Sequence, residues 1–229
     1  MGVERPSFFM QFIKRDDIEY ATKINSSYNV EGFAVGSFRY LKIQNFLSNP
    51  KQFIELLSQY PAVIGPSYIS TPGARQNLSC VEIKSLLFEY KNILGRIGVS
   101  TDPTRWINCT NIMWKGMECL EGTNYPHFDT STWVANLWLS NHQGGTAFYK
   151  YQDIKLNKNH LTVDDNIFKG IKNNLIPWSN FNGDHEWSKY HLIPTEYNTL
   201  YIYDGSYFHA PYPQLTDEYR YSLISFYHG

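Results

Sequence analysis

The sequence has little cysteine. Cys80, Cys109 and Cys119 are its three cysteines, and no two of them have CxxC spacing. A sparse, odd-numbered set of this kind does not favour a disulfide framework or a structural zinc site. We therefore expect reduced thiols and a cytoplasmic location.

The chain also lacks an excess of charge of either sign and has no long apolar run. Twenty Lys and Arg residues stand against 21 Asp and Glu residues, and the basic residues form no cluster that could neutralise a line of phosphates. The apolar patch in residues 8–13 is too short and wrongly flanked for a signal peptide, and no other stretch is long enough to span a membrane. Neither nucleic acid nor a membrane is an expected partner.

Aromatic residues are plentiful, at 17% of the chain with 18 tyrosines, and such residues favour half-buried β-strands. A length of 229 residues suits one domain covering the whole chain, 1–229. Apolar spacings of three and four predict helices over 48–60 and 81–97, so we expect residues 1–104 to form a helical or mixed support region.

From residue 105 onward, short apolar or alternating runs separated by turn residues predict β-strands. The expected strands are 106–114, 126–129, 133–139, 146–151, 199–203 and 219–227. The fold class is therefore mainly β with flanking helices, α+β, with a core over 105–229 that has the signature of a small sandwich or barrel.

Residues 152–198 are more polar and predict an insertion in this core, with a helix near 163–174. The insertion has too few apolar residues for a core of its own, and it is a candidate lid. Its aromatic side chains are expected to pack the insertion back on the barrel rather than to bind substrate. They are Trp178, Phe181, Trp187 and Tyr190.

The tripeptide His127-Phe128-Asp129 carries the first chemical signal. In an extended segment the side chains at i and i+2 point the same way, so the imidazole and the carboxylate are aimed at one point. His209 follows the predicted strand 199–203 and a turn, and it is the best candidate for a third ligand. Two histidines and one carboxylate form the facial triad of non-haem iron sites. The alternatives are an exposed polar turn at 127–129 and a hydrogen-bonded core histidine at 209.

Arg220 and Ser222 lie on one face of the predicted strand 219–227, in line with Ile224 and Phe226. A buried arginine requires a partner, and its planar fork suits a carboxylate, so a small dicarboxylate would serve. The alternative is the opposite strand phase, which would expose Arg220 to pair with a neighbouring acidic residue at the surface.

Together these elements resemble the Fe(II)/2-oxoglutarate-dependent dioxygenase superfamily. The resemblance rests on the ordered set 127–129, 133–139, 144–148, His209 and Arg220-x-Ser222, and it covers residues 105–229. Order and spacing are most similar to the prolyl-4-hydroxylase-like branch, including a small bacterial and phage group.

The resemblance implies a double-stranded β-helix, the jelly-roll core also found in cupins. His127, Asp129 and His209 would bind Fe(2+), and Arg220 with Ser222 would hold the distal carboxylate of 2-oxoglutarate. Thr146 and Phe148 would border the cosubstrate pocket, with Tyr125 as a further candidate contact. The implied reaction consumes O2, releases succinate and CO2, and hydroxylates a peptidyl side chain or a small molecule.

The sequence departs from the family pattern at two positions, which limits what the resemblance implies about the substrate and about Tyr125. The prolyl hydroxylases commonly have Lys where this chain has Arg220, which loosens the link to peptidyl proline as substrate. The family tyrosine upstream of the HxD motif does not align securely with Tyr125. The presence of Asp129 argues against the halogenase variant, in which a small residue vacates this position.

Two other functions fit the same sequence. One is a non-catalytic jelly roll that binds a carbohydrate or protein partner. The other is a cupin-like metalloenzyme that does not use 2-oxoglutarate. The remaining histidines lie in polar surroundings and are expected at the surface: His142, His160, His185, His191 and His228.

Overall fold

Residues 14–64, 74–114, 129, 131–141, 144–151, 187–212 and 219–229 are described by the computed structural model. Three α-helices and a 3-10 turn lie within these ranges: α1 (Arg15–Ala21), α2 (Pro50–Leu57), α3 (Lys84–Arg96) and the 3-10 turn Pro103–Arg105. Helices α2 and α3 confirm the two predicted helices. None of the described helices is long and apolar enough to cross a membrane.

Twelve strands lie within the described residues. They are β1 (Asn29–Val35), β2 (Phe38–Gln44), β3 (Val63–Ile64), β4 (Ala74–Arg75), β5 (Asn77–Leu78), β6 (Trp106–Trp114), β7 (Trp133–Trp138), β8 (Gly145–Tyr151), β9 (Trp187–Pro194), β10 (Thr199–Asp204), β11 (His209–Tyr212) and β12 (Tyr219–Tyr227). The predicted strands over 106–114, 133–139, 146–151, 199–203 and 219–227 all appear within one residue or two of their expected bounds.

The strands form two antiparallel sheets. The major sheet has the order β1-β2-β10-β7-β12-β6-β4-β3, with β5 also paired to β6. The minor sheet has the order β11-β8-β9. The mainly β fold class with flanking helices is thereby confirmed.

The major sheet buries both of its faces, and the side chains of β7 show this by alternation. Ala135 and Leu137 pack in a core with the helices, whereas Val134 and Trp138 pack in a second core with residues of the minor sheet. The helix side of the first core includes Leu86, Leu87, Tyr90, Ile93 and Leu94 of α3. The sheet is therefore the middle layer between the helices and the minor sheet.

Besides the helices, residues 1–104 supply β1 and β2, which extend the major sheet through pairing of β2 with β10. The predicted insertion 152–198 extends too far at its C-terminal side, because Trp187–Pro194 is strand β9 and pairs with β8. The predicted helix 163–174, together with Trp178 and Phe181, lies outside the described residues.

The predicted surface position of His191 is wrong, and a β-bulge between β8 and β9 explains why. The register of β8 and β9 shifts between Phe148 and Tyr149, and the ring of His191 packs at 5.3 Å from that of Tyr40 and 5.9 Å from that of Phe38. A bulge re-aims side chains relative to simple alternation. His191 is consequently half-buried among aromatic rings, and its predicted surface position is incorrect.

Asn198 joins the N-terminal region to the barrel. Its side chain accepts a hydrogen bond from Leu47 N at 2.8 Å and donates one to Leu47 O at 2.9 Å, and its own N–H donates to Trp138 O. Its φ of 55° lies in the left-handed region, which Asn tolerates better than most residues. One residue therefore connects the segment after β2 to the start of β10 and the end of β7.

Two substitutions of Asn198 separate the contribution of its side-chain hydrogen bonds from that of its left-handed backbone conformation. Asn198→Gly keeps the backbone conformation but removes both side-chain hydrogen bonds, and we expect it to lower the free energy of unfolding by about 2 kcal/mol. Asn198→Ala should cost about 1 kcal/mol more, because a Cβ is strained at positive φ. Urea denaturation measures both values. A wild-type midpoint for Asn198→Gly would contradict the role of the side chain.

Candidate active site between the sheets

A cavity that is partly open to solvent lies between the inner faces of the two sheets. Strands β6, β7, β10 and β12 line it from the major sheet, and β8 and β11 line it from the minor sheet. Its wall consists of Asn111, Asp129, Asn136, Trp138, Thr146, Tyr203, His209, Pro211, Arg220, Ser222, Ile224 and Phe226. Predicted site residues Asp129, His209, Arg220, Ser222 and Thr146 are therefore brought together in one cavity.

Asp129 and His209 meet at one end of this cavity. The Oδ2 atom of Asp129 lies 3.2 Å from Nε2 of His209, and the two side chains are 17% and 7% exposed. On the other side of the ring, Nδ1 of His209 lies 2.8 Å from the carbonyl oxygen of Tyr207. If Nδ1 carries the proton and donates it to that oxygen, the Nε2 lone pair faces the carboxylate. This is the arrangement in which a backbone carbonyl orients a metal-binding imidazole.

The charge state of His209 reflects two opposing effects. Burial disfavours the imidazolium, but the charge of Asp129 and hydrogen bonds to Asp129 and Tyr207 favour it, and the net effect raises the pKa of His209 above its ordinary value. A cation that binds between the two side chains therefore competes with a proton, and this competition becomes stronger as the pH falls.

The backbone of Gly205 fixes the position of Asp129. Asp129 N donates a hydrogen bond of 2.8 Å to Gly205 O, and Gly205 N donates to Thr132 O. A Cβ at position 205 would lie 2.6 Å from the carbonyl oxygen of Ser131. Only glycine permits this close approach, which connects the turn after β10 to the segment that carries Asp129.

Arg220 lies at another part of the cavity wall, on β12, and is 3% exposed. Its Nη1 group makes one long contact, 3.4 Å, with Gly145 O, and its Nε–H has no hydrogen-bond partner. The guanidinium lies 5.1 Å from the ring centroid of Trp138. No carboxylate in the described part of the chain forms a salt bridge with it. Burial lowers the pKa of Arg220 to about 10, so the group is still charged at neutral pH.

Two further hydrogen-bonding groups of the major sheet face the same cavity without a partner among the described residues. They are Oγ of Ser222 and Nε1 of Trp138. Ser222 is opposite Trp138 in the pairing of β12 with β7, so the two side chains are neighbours. Together with Nε of Arg220 they provide three buried donors, which is the complement of an anion with several acceptor oxygens.

Tyr203 is a site residue that the sequence did not indicate. It is fully buried, its ring meets that of His209 edge-on at 5.6 Å, and its hydroxyl is hydrogen-bonded to Thr146. Burial, followed by the nearby charge of Asp129, raises the pKa of Tyr203, so the hydroxyl keeps its proton. Asn136 and Trp138 were likewise missed, although a single asparagine in an otherwise apolar strand is a signal of a buried polar site.

The remaining predicted residues are placed as follows. Thr146 lines the cavity, whereas Phe148 packs behind it, 5.8 Å from the ring of His209 and 4.1 Å from that of Phe38. His127 and Tyr125 lie outside the described residues. No group of three or more His, Cys, Asp or Glu side chains suited to a metal occurs among the residues that are described. Asp129 and His209 provide one oxygen and one nitrogen donor, a set that fits ferrous iron if one further ligand joins them.

The close contact at Gly205 leads to a paired prediction. Gly205→Ala should lower the free energy of unfolding by about 2 kcal/mol, because the added methyl group would push the Ser131 segment away. Gly95→Ala is the matched control: a Cβ there meets nothing within 4 Å in α3, and the variant should gain up to about 1 kcal/mol. Chemical denaturation of both variants tests this. Equal stability of the two would show that the contact at Gly205 relaxes without cost.

The buried charge of Arg220 leads to a second prediction. In ligand-free protein, Arg220→Met should raise the free energy of unfolding by about 1–3 kcal/mol, since it replaces an uncompensated buried cation by an apolar side chain. Arg105→Met, at an exposed position, should change it by less than about 0.5 kcal/mol. Urea denaturation provides the comparison. A strongly destabilised Arg220→Met protein would mean that the guanidinium is compensated within the fold.

Comparisons with known proteins concern the fold. No protein-family model and no curated protein sequence matches the chain. Among solved structures, the non-haem alpha-ketoglutarate-dependent carbocyclase SnoK from nogalamycin biosynthesis is 12% identical, covers 95% of this chain and 85% of its own, and has a TM-score of 0.50. HygX from Streptomyces hygroscopicus with nickel and 2-oxoglutarate bound is 12% identical, covers 93% and 86%, and has a TM-score of 0.51. HygX with hygromycin B also bound is 13% identical over the same shares, again with a TM-score of 0.51. At such low identity the likeness establishes the fold alone, and the chain has the same jelly-roll fold as these proteins.

Proposed function

We propose that this protein is a non-haem Fe(II)- and 2-oxoglutarate-dependent oxygenase that oxidises a peptidyl side chain or a small molecule. The observation that carries the proposal is that one cavity joins a convergent carboxylate–imidazole pair, Asp129 and His209, to the buried guanidinium of Arg220, which has no carboxylate partner among the described residues. A ligand that spans the two groups would bind a metal at one end and carry a negative charge at the other. 2-Oxoglutarate has this chemistry.

The Arg220 end accounts for the distal carboxylate. Nε of Arg220, Oγ of Ser222 and Nε1 of Trp138 are buried without partners, and each such group costs free energy until a ligand satisfies it. A carboxylate has enough acceptor positions for all three. Thr146 borders the same space from the minor sheet. An anion that accepts hydrogen bonds from these three donors would therefore remove the cost of leaving them unpaired.

The Asp129 end accounts for the metal. His127 would join Asp129 and His209 as the third ligand, as the HxD spacing predicts. Bound Fe(2+) would supply the redox chemistry, in which O2 is consumed, 2-oxoglutarate becomes succinate and CO2, and the substrate is oxidised. The contribution of the protein is to hold the ligand side chains: Tyr207 O orients His209, and Gly205 O fixes Asp129.

Part of the cavity wall is apolar. Pro211, Ile224 and Phe226 line the cavity and match the methylene groups of the cosubstrate. Apolar side chains also keep water away from the reacting centre, which prevents side reactions. The buried cation at one end and the metal-binding pair at the other fit a short dicarboxylate better than a neutral carbohydrate, which has no charge to pair with Arg220.

The solved structures of the same fold support this class of cosubstrate. SnoK is described as alpha-ketoglutarate-dependent, and HygX has been crystallised with 2-oxoglutarate. SnoK is a carbocyclase, so this architecture is not restricted to hydroxylation. Hydroxylation, the prolyl-4-hydroxylase-like branch and a contact of Tyr125 with the cosubstrate remain predictions from the order of the motifs.

The expected setting follows from the same chemistry. Cys80 and Cys109 are free thiols, and ferrous iron is maintained in a reducing compartment. We therefore propose a cytoplasmic enzyme whose partners are the cosubstrate and one primary substrate, without nucleic acid or membrane.

Anaerobic mixing of the purified protein with Fe(II) and 2-oxoglutarate tests the proposal. We expect a weak visible charge-transfer band and, after admission of O2, slow formation of succinate without added substrate. Asp129→Ala should lose the band because a metal ligand is removed. Arg220→Ala should weaken 2-oxoglutarate binding by about 30-fold or more, since a charge-assisted contact is lost.

Arg105→Ala is the matched control and should behave as wild type. A well-folded wild-type protein that gives neither band nor succinate would contradict the proposal and favour a non-catalytic jelly roll. Metal-dependent activity that persists in Arg220→Ala without 2-oxoglutarate would favour a cupin-like metalloenzyme.

A further inference from the structure

Asn136 is a buried polar residue that neither the metal pair nor the arginine end explains. It lies on β7, is 4% exposed and lines the cavity. Its Oδ1 atom is buried with no hydrogen-bond partner. A buried amide oxygen without a partner destabilises a fold. Its presence in the cavity wall points to a ligand.

The position of Asn136 on the sheet relates it to the two ends of the cavity. Trp138 is paired with Ser222, and these two side chains form the carboxylate-binding row. Asn136 lies two residues before Trp138 on β7 and is paired with Ile224. The start of β7 is paired with Asp204, next to the Gly205 that holds Asp129. Asn136 therefore lies between the carboxylate-binding row and the metal end.

The length of the proposed cosubstrate matches this spacing. Side chains two residues apart on one face of a strand are separated by about 6.7 Å. The terminal carbons of an extended five-carbon dicarboxylate, with four bonds of about 1.5 Å, are about 5 Å apart. A molecule anchored by its distal carboxylate at the Ser222 and Trp138 row consequently places its oxo-acid end beside Asn136.

We propose that Asn136 binds the oxo-acid end of 2-oxoglutarate, with its amide NH2 donating to the oxygen atoms there. The inference rests on the proposed function and extends it by one residue. A carboxylate offers acceptors only, so the amide turns its donor group to the ligand. Asn136 thereby fixes the rotation of the cosubstrate about its long axis, which the Arg220 end alone leaves free.

The sign of the stability change separates this role from a structural one. Asn136→Leu replaces an unsatisfied amide by an apolar side chain of similar size, so the apoprotein should unfold at the same temperature as wild type or higher. Its 2-oxoglutarate affinity should nevertheless fall about tenfold, the usual effect of losing a hydrogen bond to a charged group. If Asn136 served the packing of the fold, Asn136→Leu would instead lower the unfolding temperature of the apoprotein.

Asn136→Asp is the second variant. It keeps the size of the side chain but places a negative charge beside the oxo-acid end, and it should weaken 2-oxoglutarate binding more than Asn136→Leu does. Thr110→Val is the control on the opposite face of the major sheet. Thr110 is fully buried and hydrogen-bonded to Gln76 at 2.9 Å, so this variant should lose stability but keep wild-type affinity for 2-oxoglutarate.

The experiment measures the unfolding temperature of each metal-free protein and then titrates 2-oxoglutarate against anaerobic Fe(II)-loaded protein by the charge-transfer band. Pentanoate, which has one carboxylate and no oxo-acid end, is a second probe, measured by its competition with 2-oxoglutarate. We expect Asn136→Leu to bind pentanoate as wild type does and 2-oxoglutarate about tenfold more weakly.

Equal 2-oxoglutarate affinity in wild type and Asn136→Leu would overturn the role of Asn136 and leave the proposed function standing. A clear drop in the unfolding temperature of Asn136→Leu apoprotein would overturn it in favour of a structural role. Absence of 2-oxoglutarate binding in the wild type would instead refute the proposed function, and this inference with it.

Discussion

The register of β12 determines the rest of the site. This strand pairs with β6 from Tyr219 to Tyr227 and with β7 from Ser222 onward, so its two faces cannot exchange without breaking both ladders. Leu223 and Tyr227 pack with the helices, while Arg220 and Ser222 face the cavity. A slip of one residue would bury Leu223 in the polar cavity and place the guanidinium in the helix-side core. The two hydrogen-bonded ladders are therefore what keeps a charged side chain inside the protein.

Periodicity in the sequence predicted the elements whose pattern is regular. The spacing of apolar residues indicated α2 and α3, and the alternation along 219–227 assigned Arg220 to the cavity face. Strand β1 escaped prediction because much of it is exposed, and β2 because its burial does not alternate strictly, since Leu41 and Lys42 are both partly buried. Strand β9 was hidden at the end of a polar stretch, and the bulge opposite Phe148 disturbed the alternation that would have indicated that His191 is partly buried.

The candidate site was predictable in the residues whose chemistry is distinctive. Asp129, His209, Arg220 and Ser222 share one cavity, as their types and spacing indicated, and Thr146, indicated by the family resemblance, lines it too. Tyr203 and Trp138 could not be recognised in the same way, because aromatic residues in strands are usually core residues and 17% of this chain is aromatic. Their roles depend on which atoms meet across the sheets, and that is decided by tertiary packing.

The pairing of β2 with β10 has a consequence for biosynthesis. Leu47, just after β2, and Asn198, just before β10, are 151 residues apart, so a ribosome has made most of the chain before β2 can pair with β10. During that interval β2 can pair only with β1, and its apolar side chains, including Phe38 and Ile43, do not yet have the rest of the sheet around them. Contacts between such distant segments form slowly, and incompletely paired strands are prone to aggregate until these contacts have formed. Yield of folded protein should accordingly depend on the temperature of synthesis and on chaperones that shield the N-terminal third of the nascent chain.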